Sequence, residues 1–226
     1  MTLKENLQSV HLRIEAAARR AGRQSEQVTL VAVSKRKPIE AIQQAVDEGQ
    51  ECFGENYLQE AVDKVAQFPQ VRWHFIGRIQ SNKTKVIAQY FDVVETVDRL
   101  KVAVALDKHL GELGKKMGAY IQVNLGKEEQ KAGIMPEELD DLVEKFKSFS
   151  HLSLAGLMTL PPYNADPEGS RLYFRQLRHL ALSLEVKQLV NYSLGLSMGM
   201  SGDFEVAVEE GATIVRVGTA LFGERE

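Results

Sequence analysis

The chain has 226 residues, of which 28 are basic and 31 acidic, giving a net charge of −3. That balance provides no excess of cations through which nucleic acid or an anionic membrane would be the main partner. Hydrophobic residues at 44% and charged residues at 26% suit an ordinary soluble core, and the single cysteine, Cys52, excludes an internal disulfide and fits a reducing compartment. Cys52 lies between Glu51 and Phe53, where a buried structural thiol is the expectation. The charged start, Met1 to Leu7, lacks the apolar core of a signal peptide, and no window approaches the roughly 18 apolar residues that span a bilayer. A cytoplasmic protein is expected.

In chain order, residues 2–22 form an amphipathic helix, with Leu3, Leu7, Val10, Ile14, Ala17 and Ala21 on one face and Gly22 as its stop. The first strand is Val28 to Ser34, an apolar run of the kind covered on both faces in a parallel sheet. Lys35 follows it, and Pro38 opens a helix carrying Ile39, Ile42, Ala45 and Val46. Residues 51–55 give a short second strand and Tyr57 to Phe68 a helix. Val71 to Gly77 is the third strand, and a helix follows through Val86. Phe91 to Glu95 is the fourth strand and Tyr120 to Leu125 the fifth, with a long helix over about 98–116 between them. A helix runs from Pro136 through Phe149, the sixth strand from Leu152 to Met158, and a helix from Glu168 through Leu184. Tyr192 to Ser197 is a short seventh strand, a helix surrounds Phe204 to Glu210, and Thr213 to Val217 is the eighth strand.

Eight strands alternating with helices at roughly 25-residue spacing predict a parallel α/β architecture. One (β/α)8 TIM barrel with an extra amino-terminal helix fits the count, and an open doubly wound sheet is the alternative. No internal repeat or linker divides the chain, so a single domain over residues 1–226 is expected. Both architectures place function at the carboxyl ends of the strands. Lys35, Asn56, His74, Asn124, Met158, Ser197, Ser201 and Arg216 fall at or near those ends. A lysine in a partly dry pocket loses some preference for its charged form, and its amine can then attack a carbonyl. A solvated loop lysine is the plainer reading of Lys35 taken alone. Ser197 to Asp203 before a helix, and Gly218-Thr219 after the last strand, form a candidate anion cradle; capped glycine turns would look the same. Residues 128–131 read as an exposed loop, and no His, Cys, Asp and Glu set has metal-ligand spacing.

Taken together, six separated segments resemble one family. They are Ala32-Val33-Ser34-Lys35, Phe53-Gly54-Glu55-Asn56-Tyr57, His74-Phe75-Ile76-Gly77 with Gln80-Ser81-Asn82-Lys83, Gly156-Leu157-Met158, Leu196 to Ser201, and Arg216-Val217-Gly218-Thr219. The chain resembles the YggS/PROSC family of pyridoxal 5′-phosphate (PLP) homeostasis proteins from about Val28 to Gly223. The resemblance implies the barrel of the alanine racemase amino-terminal domain, which is PLP fold type III. It implies Lys35 as the lysine joined to PLP in an internal aldimine, and Ser201, Gly218 and Thr219, with Ser197 nearby, around the phosphate. Arg216 would face the pyridine nitrogen, and Asn56, His74 and Met158 would line the cofactor. Alanine racemases carry a further β-rich domain that closes the site, and Glu226 comes directly after the last barrel element. The expectation is therefore a monomeric PLP carrier with little or no turnover, and PLP-dependent apoenzymes as possible recipients. A single-domain amino-acid racemase is the alternative, and a colourless barrel enzyme acting on a phosphorylated sugar is a third.

Overall fold

Strand β1 (Thr29–Val33) sends alternate side chains to two different interiors. Leu30 and Ala32 join the large core shared with the surrounding helices, while Val31 packs with Tyr120, Met158 and Ile214 in an inner cluster. A strand with both faces covered needs apolar residues at consecutive positions, which is why this one reads as an unbroken run. The computed structural model describes residues 2–128 and 130–223.

The other strands are β2 (Cys52–Glu55), β3 (Arg72–Phe75), β4 (Val93–Val97), β5 (Met117–Gln122), β6 (Leu152–Met158), β7 (Gly195–Ser197) and β8 (Ile214–Val217). Every neighbouring pair is parallel, and β8 returns to β1 with Thr29 opposite Ile214 and Val31 opposite Arg216. The sheet is therefore a closed barrel, and the open-sheet alternative is overturned. Helices α2 (Ile39–Asp47), α3 (Leu58–Gln67), α4 (Thr84–Tyr90), α5 (Leu100–Leu113), α6 (Leu139–Phe146), α7 (Arg171–Val186) and α8 (Phe204–Glu209) connect successive strands, and α9 (Thr219–Phe222) follows β8.

Helix α1 (Leu3–Arg20) precedes the barrel. Thr2 and Glu5 form a reciprocal capping box, the Glu5 N–H donating to Thr2 Oγ1 at 3.2 Å and the Thr2 N–H to Glu5 Oε2 at 2.8 Å. Its buried stripe of Leu7, Val10, Ile14, Ala17 and Ala18 packs on α2, α8 and α9. Arg13 to Glu205 (2.8 Å), Arg20 to Glu209 (2.6 Å) and Asn6 to the Leu221 carbonyl (2.9 Å) fix its orientation.

Two strands depart from their expected positions. β4 starts two residues late because Phe91 caps α4, its N–H donating to the Ile87 carbonyl at 3.0 Å, and its buried ring meets that of Phe75 edge-on at 5.2 Å. β5 starts three residues early, at Met117, since Gly118 dilutes an apolar pattern that pairing with β4 and β6 nonetheless completes. Register shifts lie in the same place, between Val94 and Val97 and between Ala119 and Tyr120. They break the period-two signal that locates a strand. Strand β7 is only Gly195–Ser197, and Tyr192 instead ties the preceding loop to β6 by donating to the Leu154 carbonyl at 2.8 Å. Among the described residues, no helix is long and apolar enough to cross a membrane.

Strands β6 and β7 approach so closely that a Cβ on Gly156 would overlap the Gly195 carbonyl oxygen and the Tyr120 ring. Since backbone cannot step aside as a side chain can, Gly156→Ala should destabilise the barrel by about 3 kcal/mol. A urea midpoint unchanged from wild type would contradict this packing.

Candidate functional site

The loop that carries Lys35 is clamped on both sides of that residue. Ser34 is fully buried, and its hydroxyl donates to Glu55 Oε1, at the end of β2, at 2.7 Å. Lys64 of α3 donates to the Ser34 carbonyl and to Glu55 Oε1, each at 2.8 Å, and also pairs with Glu60. Glu60 in turn accepts the Arg36 N–H at 2.5 Å. Arg36 holds a left-handed φ of 59°, which costs a non-glycine residue about 1 kcal/mol or more. The Glu60 bond and the Tyr57 ring, 5.4 Å from the Arg36 guanidinium, help to hold that conformation. Lys35, half-buried, thus leaves the strand from a backbone with little freedom.

A second polar assembly occupies the barrel interior. Glu95 of β4 is fully buried. Its Oε1 lies 2.6 Å from His74 Nδ1 and its Oε2 accepts the Ser197 hydroxyl at 2.5 Å. Arg216 of β8 donates through Nη1 to Ser197 Oγ and through Nη2 to the Thr159 carbonyl at 3.0 Å, and Nη1 is 3.6 Å from Glu95 Oε2. Burial opposes ionisation of Glu95, but the His74 hydrogen bond and the charge of Arg216 outweigh it and hold the carboxyl below its usual range. Burial likewise works against the His74 imidazolium, yet the Cys52 thiol and Glu95 raise it to about 9.

The carboxyl ends of β7 and β8 supply the third group. Ser201 Oγ accepts the N–H groups of both Gly218 and Ala220 at 3.2 Å. The preceding turn needs glycine at 199: its φ is 91°, and a Cβ there would meet the Ala207 Cβ at 2.5 Å. The Arg216 N–H donates to the Gly199 carbonyl at 3.0 Å, tying this turn to the guanidinium strand. Gly218 also abuts β1, since a Cβ on it would lie 3.4 Å from the Val33 carbonyl oxygen. Only Ser34 separates that contact from Lys35, so the amine-bearing loop and the hydroxyl-amide cradle are neighbours.

Residues 6–226 match the family model described as alanine racemase, N-terminal domain. The chain is 43% identical to the pyridoxal phosphate homeostasis protein of Vibrio cholerae, over all of this chain and 97% of the relative. It is 46% identical to the protein of that name from Pseudomonas aeruginosa, covering 100% and 96%. This chain belongs to the pyridoxal phosphate homeostasis protein family. PipY of Synechococcus elongatus, solved with PLP bound, superposes with a TM-score of 0.86 at 36% identity, over 98% of this chain and 100% of that one. An alanine racemase of Clostridium difficile, at 14% identity and a TM-score of 0.77 over 99% of this chain and 60% of its own, shares the fold.

In this member of the homeostasis family, the structure gathers Lys35, Ser201, Gly218, Thr219 and Arg216 around the ends of β1 and β8. Met158 closes β6 in the inner cluster. Asn56 follows β2, half-buried, with Oδ1 lacking a hydrogen-bond partner. Two expected residues sit deeper than the resemblance implied. Ser197 spends its hydroxyl on Glu95 and Arg216, and His74 turns Nδ1 to Glu95. Both therefore touch the guanidinium assembly. Cys52, expected as a buried structural thiol, is half-buried and packs against the inner cluster, beside His74. The loop expected over 128–131 is less free than its composition suggested, because Lys131 pairs with Glu128 and donates to the Pro161 carbonyl at 2.9 Å; Glu129 lies outside the described residues. No group of His, Cys, Asp and Glu among the described residues could hold a metal ion.

Sequence reasoning missed Glu95, Glu55 and Lys64. A carboxylate after two valines in β4, and a lysine three residues after the apolar Ala61 and next to Val65 in α3, were the available signals. Lys64→Met should cost about 3–5 kcal/mol, because it strands the Glu55 carboxylate without its buried partner. Burial already raises Glu55, so the deficit should shrink as pH falls and the carboxyl is neutralised; a deficit independent of pH would sink this account. The His74 charge, held up to about 9, contributes stability present below 6.5 and lost as pH rises to about 9. The denaturation midpoint should fall across that window in wild type and stay flatter in His74→Asn, which keeps a donor toward Glu95.

Proposed function

We propose that this chain binds PLP at the carboxyl-terminal mouth of its barrel and serves as a carrier that hands the cofactor on to apoenzymes, without substantial turnover of its own. The observation that carries the reading is the convergence of two backbone N–H groups on Ser201 Oγ beside the Lys35 loop. Amides and a hydroxyl gathered at the end of the last barrel strand suit a phosphate group. Lys35 would supply the amine for a covalent imine to the cofactor's aldehyde carbon, and its clamped neighbours fix the backbone from which that amine extends. Thr219 and Gly218 would complete the phosphate cradle, and Asn56, with its unsatisfied Oδ1, and Met158 would line the ring. The bound state of PipY and the shared family support PLP as the ligand.

When bound, PLP supplies an electron sink for carbanions at an amino acid carbon. Arg216 would restrain that chemistry. Its guanidinium remains charged even though burial lowers it from its usual value, and Glu95 and Ser197 fix its direction. Placed against the pyridine nitrogen, a permanent cation disfavours protonation there, and an unprotonated ring draws electrons less strongly. His74 and Ser197 then act on the cofactor through Arg216, by orienting it.

Protein titrated with PLP should turn yellow, and borohydride should leave a pyridoxyl mass on the peptide containing Lys35. Lys35→Ala should lose that adduct while retaining weak affinity through the phosphate contacts. An undiminished adduct in Lys35→Ala would remove Lys35 from its role. Steady production of the opposite alanine enantiomer by the wild type, abolished in Lys35→Ala, would replace the carrier with a racemase.

A further inference from the structure

The end of the barrel opposite the mouth also contains a cleft, of about 600 Å³, bounded by the first residues of several strands. Thr29 of β1, Arg72 of β3, Ile214 of β8 and the turn containing Lys115 and Lys116 line it. Its charge is one-sided. Arg72, Lys115 and Lys116 face a single acid, Asp92, whose carboxylate already accepts the Trp73 N–H at 2.8 Å. Lys115 reaches the Gln89 carbonyl at 2.6 Å, whereas no salt bridge among the described residues involves Arg72 or Lys116.

The inner end of this cleft is His74. Only 3% of the residue is exposed, Nδ1 is committed to Glu95, and Nε2 is buried without a hydrogen-bond partner, with the Cys52 thiol beside it. A carboxylate on Nδ1 favours the doubly protonated ring, whose remaining N–H needs an acceptor. An unpaired buried donor of this kind is costly to leave unmade, and an anion entering from the cationic rim would satisfy it. Tyr120, which also lines the cleft, is pushed up to about 12 by burial and by the Glu95 charge, with Arg72 opposing the rise from the rim.

We propose that this cleft is a binding site for a small oxyanion-bearing metabolite, a phosphate or carboxylate compound, with His74 Nε2 as its inner donor and Arg72 and Lys116 as its outer ones. The site is distinct from the mouth, since Ser201 and Gly218 stand at the far ends of β7 and β8. It is nonetheless joined to the mouth: His74 holds Glu95, Glu95 holds Ser197, and Ser197 holds Arg216. An occupant of the cleft would thereby bear on the guanidinium that meets the cofactor.

The test uses cofactor-free full-length protein labelled with nitrogen-15, titrated separately with inorganic phosphate and with malonate. The His74 Nε2 resonance should shift saturably, and Arg72→Ala, at an exposed position, should weaken the response about tenfold, with a smaller loss for Lys116→Ala. A response to phosphate alone would assign phosphate compounds as the ligands, and a response to both would extend the class to carboxylates. The Gly218 amide reports phosphate at the mouth, and the comparison with Arg72→Ala separates cleft binding from mouth occupancy felt at His74 through Glu95 and Ser197, so failure of the cofactor reading would appear at Gly218 and leave the Arg72-dependent part of the His74 shift intact. No saturable shift at His74 with either anion, or an equal shift in wild type and Arg72→Ala, would overturn the proposal.

Discussion

A carboxylate with no access to water stands in the middle of the barrel, and the polar architecture follows from the need to satisfy it. Removing such a charge from solvent costs several kcal/mol even after relaxation. Glu95 recovers that cost only by drawing in an imidazole, a hydroxyl and a guanidinium from three other strands. Each of those groups is then no longer free to choose its rotamer. Arg216 in particular is held by Ser197 on one nitrogen and the Thr159 carbonyl on another, so a long, flexible side chain becomes a fixed direction of positive charge. Hydrophobic packing could have filled the same volume more cheaply. It could not have aimed a cation.

The same logic, with other residues, governs the loop after β1. Glu55 and Lys64 form a buried pair that also holds Ser34, Glu55 accepting its hydroxyl and Lys64 donating to its carbonyl. Glu60, linked to the pair by Lys64, takes the Arg36 N–H. Lys35 lies between the two fixed residues. A clamp of this kind removes the freedom of the backbone on either side of Lys35, and with it part of the entropy a bound, covalently linked state would otherwise forfeit.

The barrel and the amine at its mouth were legible in the sequence because their signals are local. An apolar run ending in Ser34-Lys35, and Gly199, Gly202 and Gly218 around Ser201, announce themselves within a few residues. Strand limits failed where pairing shifts register, at β4 and β5, since a bulge is a property of two strands and leaves little mark on either alone. Glu95 was missed for a related reason, and the Glu55–Lys64 pair because it forms only once α3 packs beside β2. In a pattern, a charged residue beside valines reads as the solvent face of a strand, and only closure of the sheet turns that face into an interior. Ser197 and His74 were recognised as polar residues on the right strands, but their commitment to Glu95 depends on β4, which is distant in sequence from β7.

The interior also has a sign. One carboxylate, Glu95, sits among one guanidinium and one imidazolium whose protonated form is favoured well above neutral pH. With His74 charged, the assembly carries a net positive charge in a region of low dielectric, where the field is screened weakly and extends toward both ends of the barrel. At the mouth that field favours an anionic phosphate near Ser201 and Gly218. At the opposite pole it adds to Arg72, Lys115 and Lys116 around the unsatisfied Nε2. A single excess charge can be balanced fully from only one side. An anion seated at one pole should therefore weaken the attraction felt at the other, and the buried carboxylate, through its bonds to His74 and Ser197, links the two.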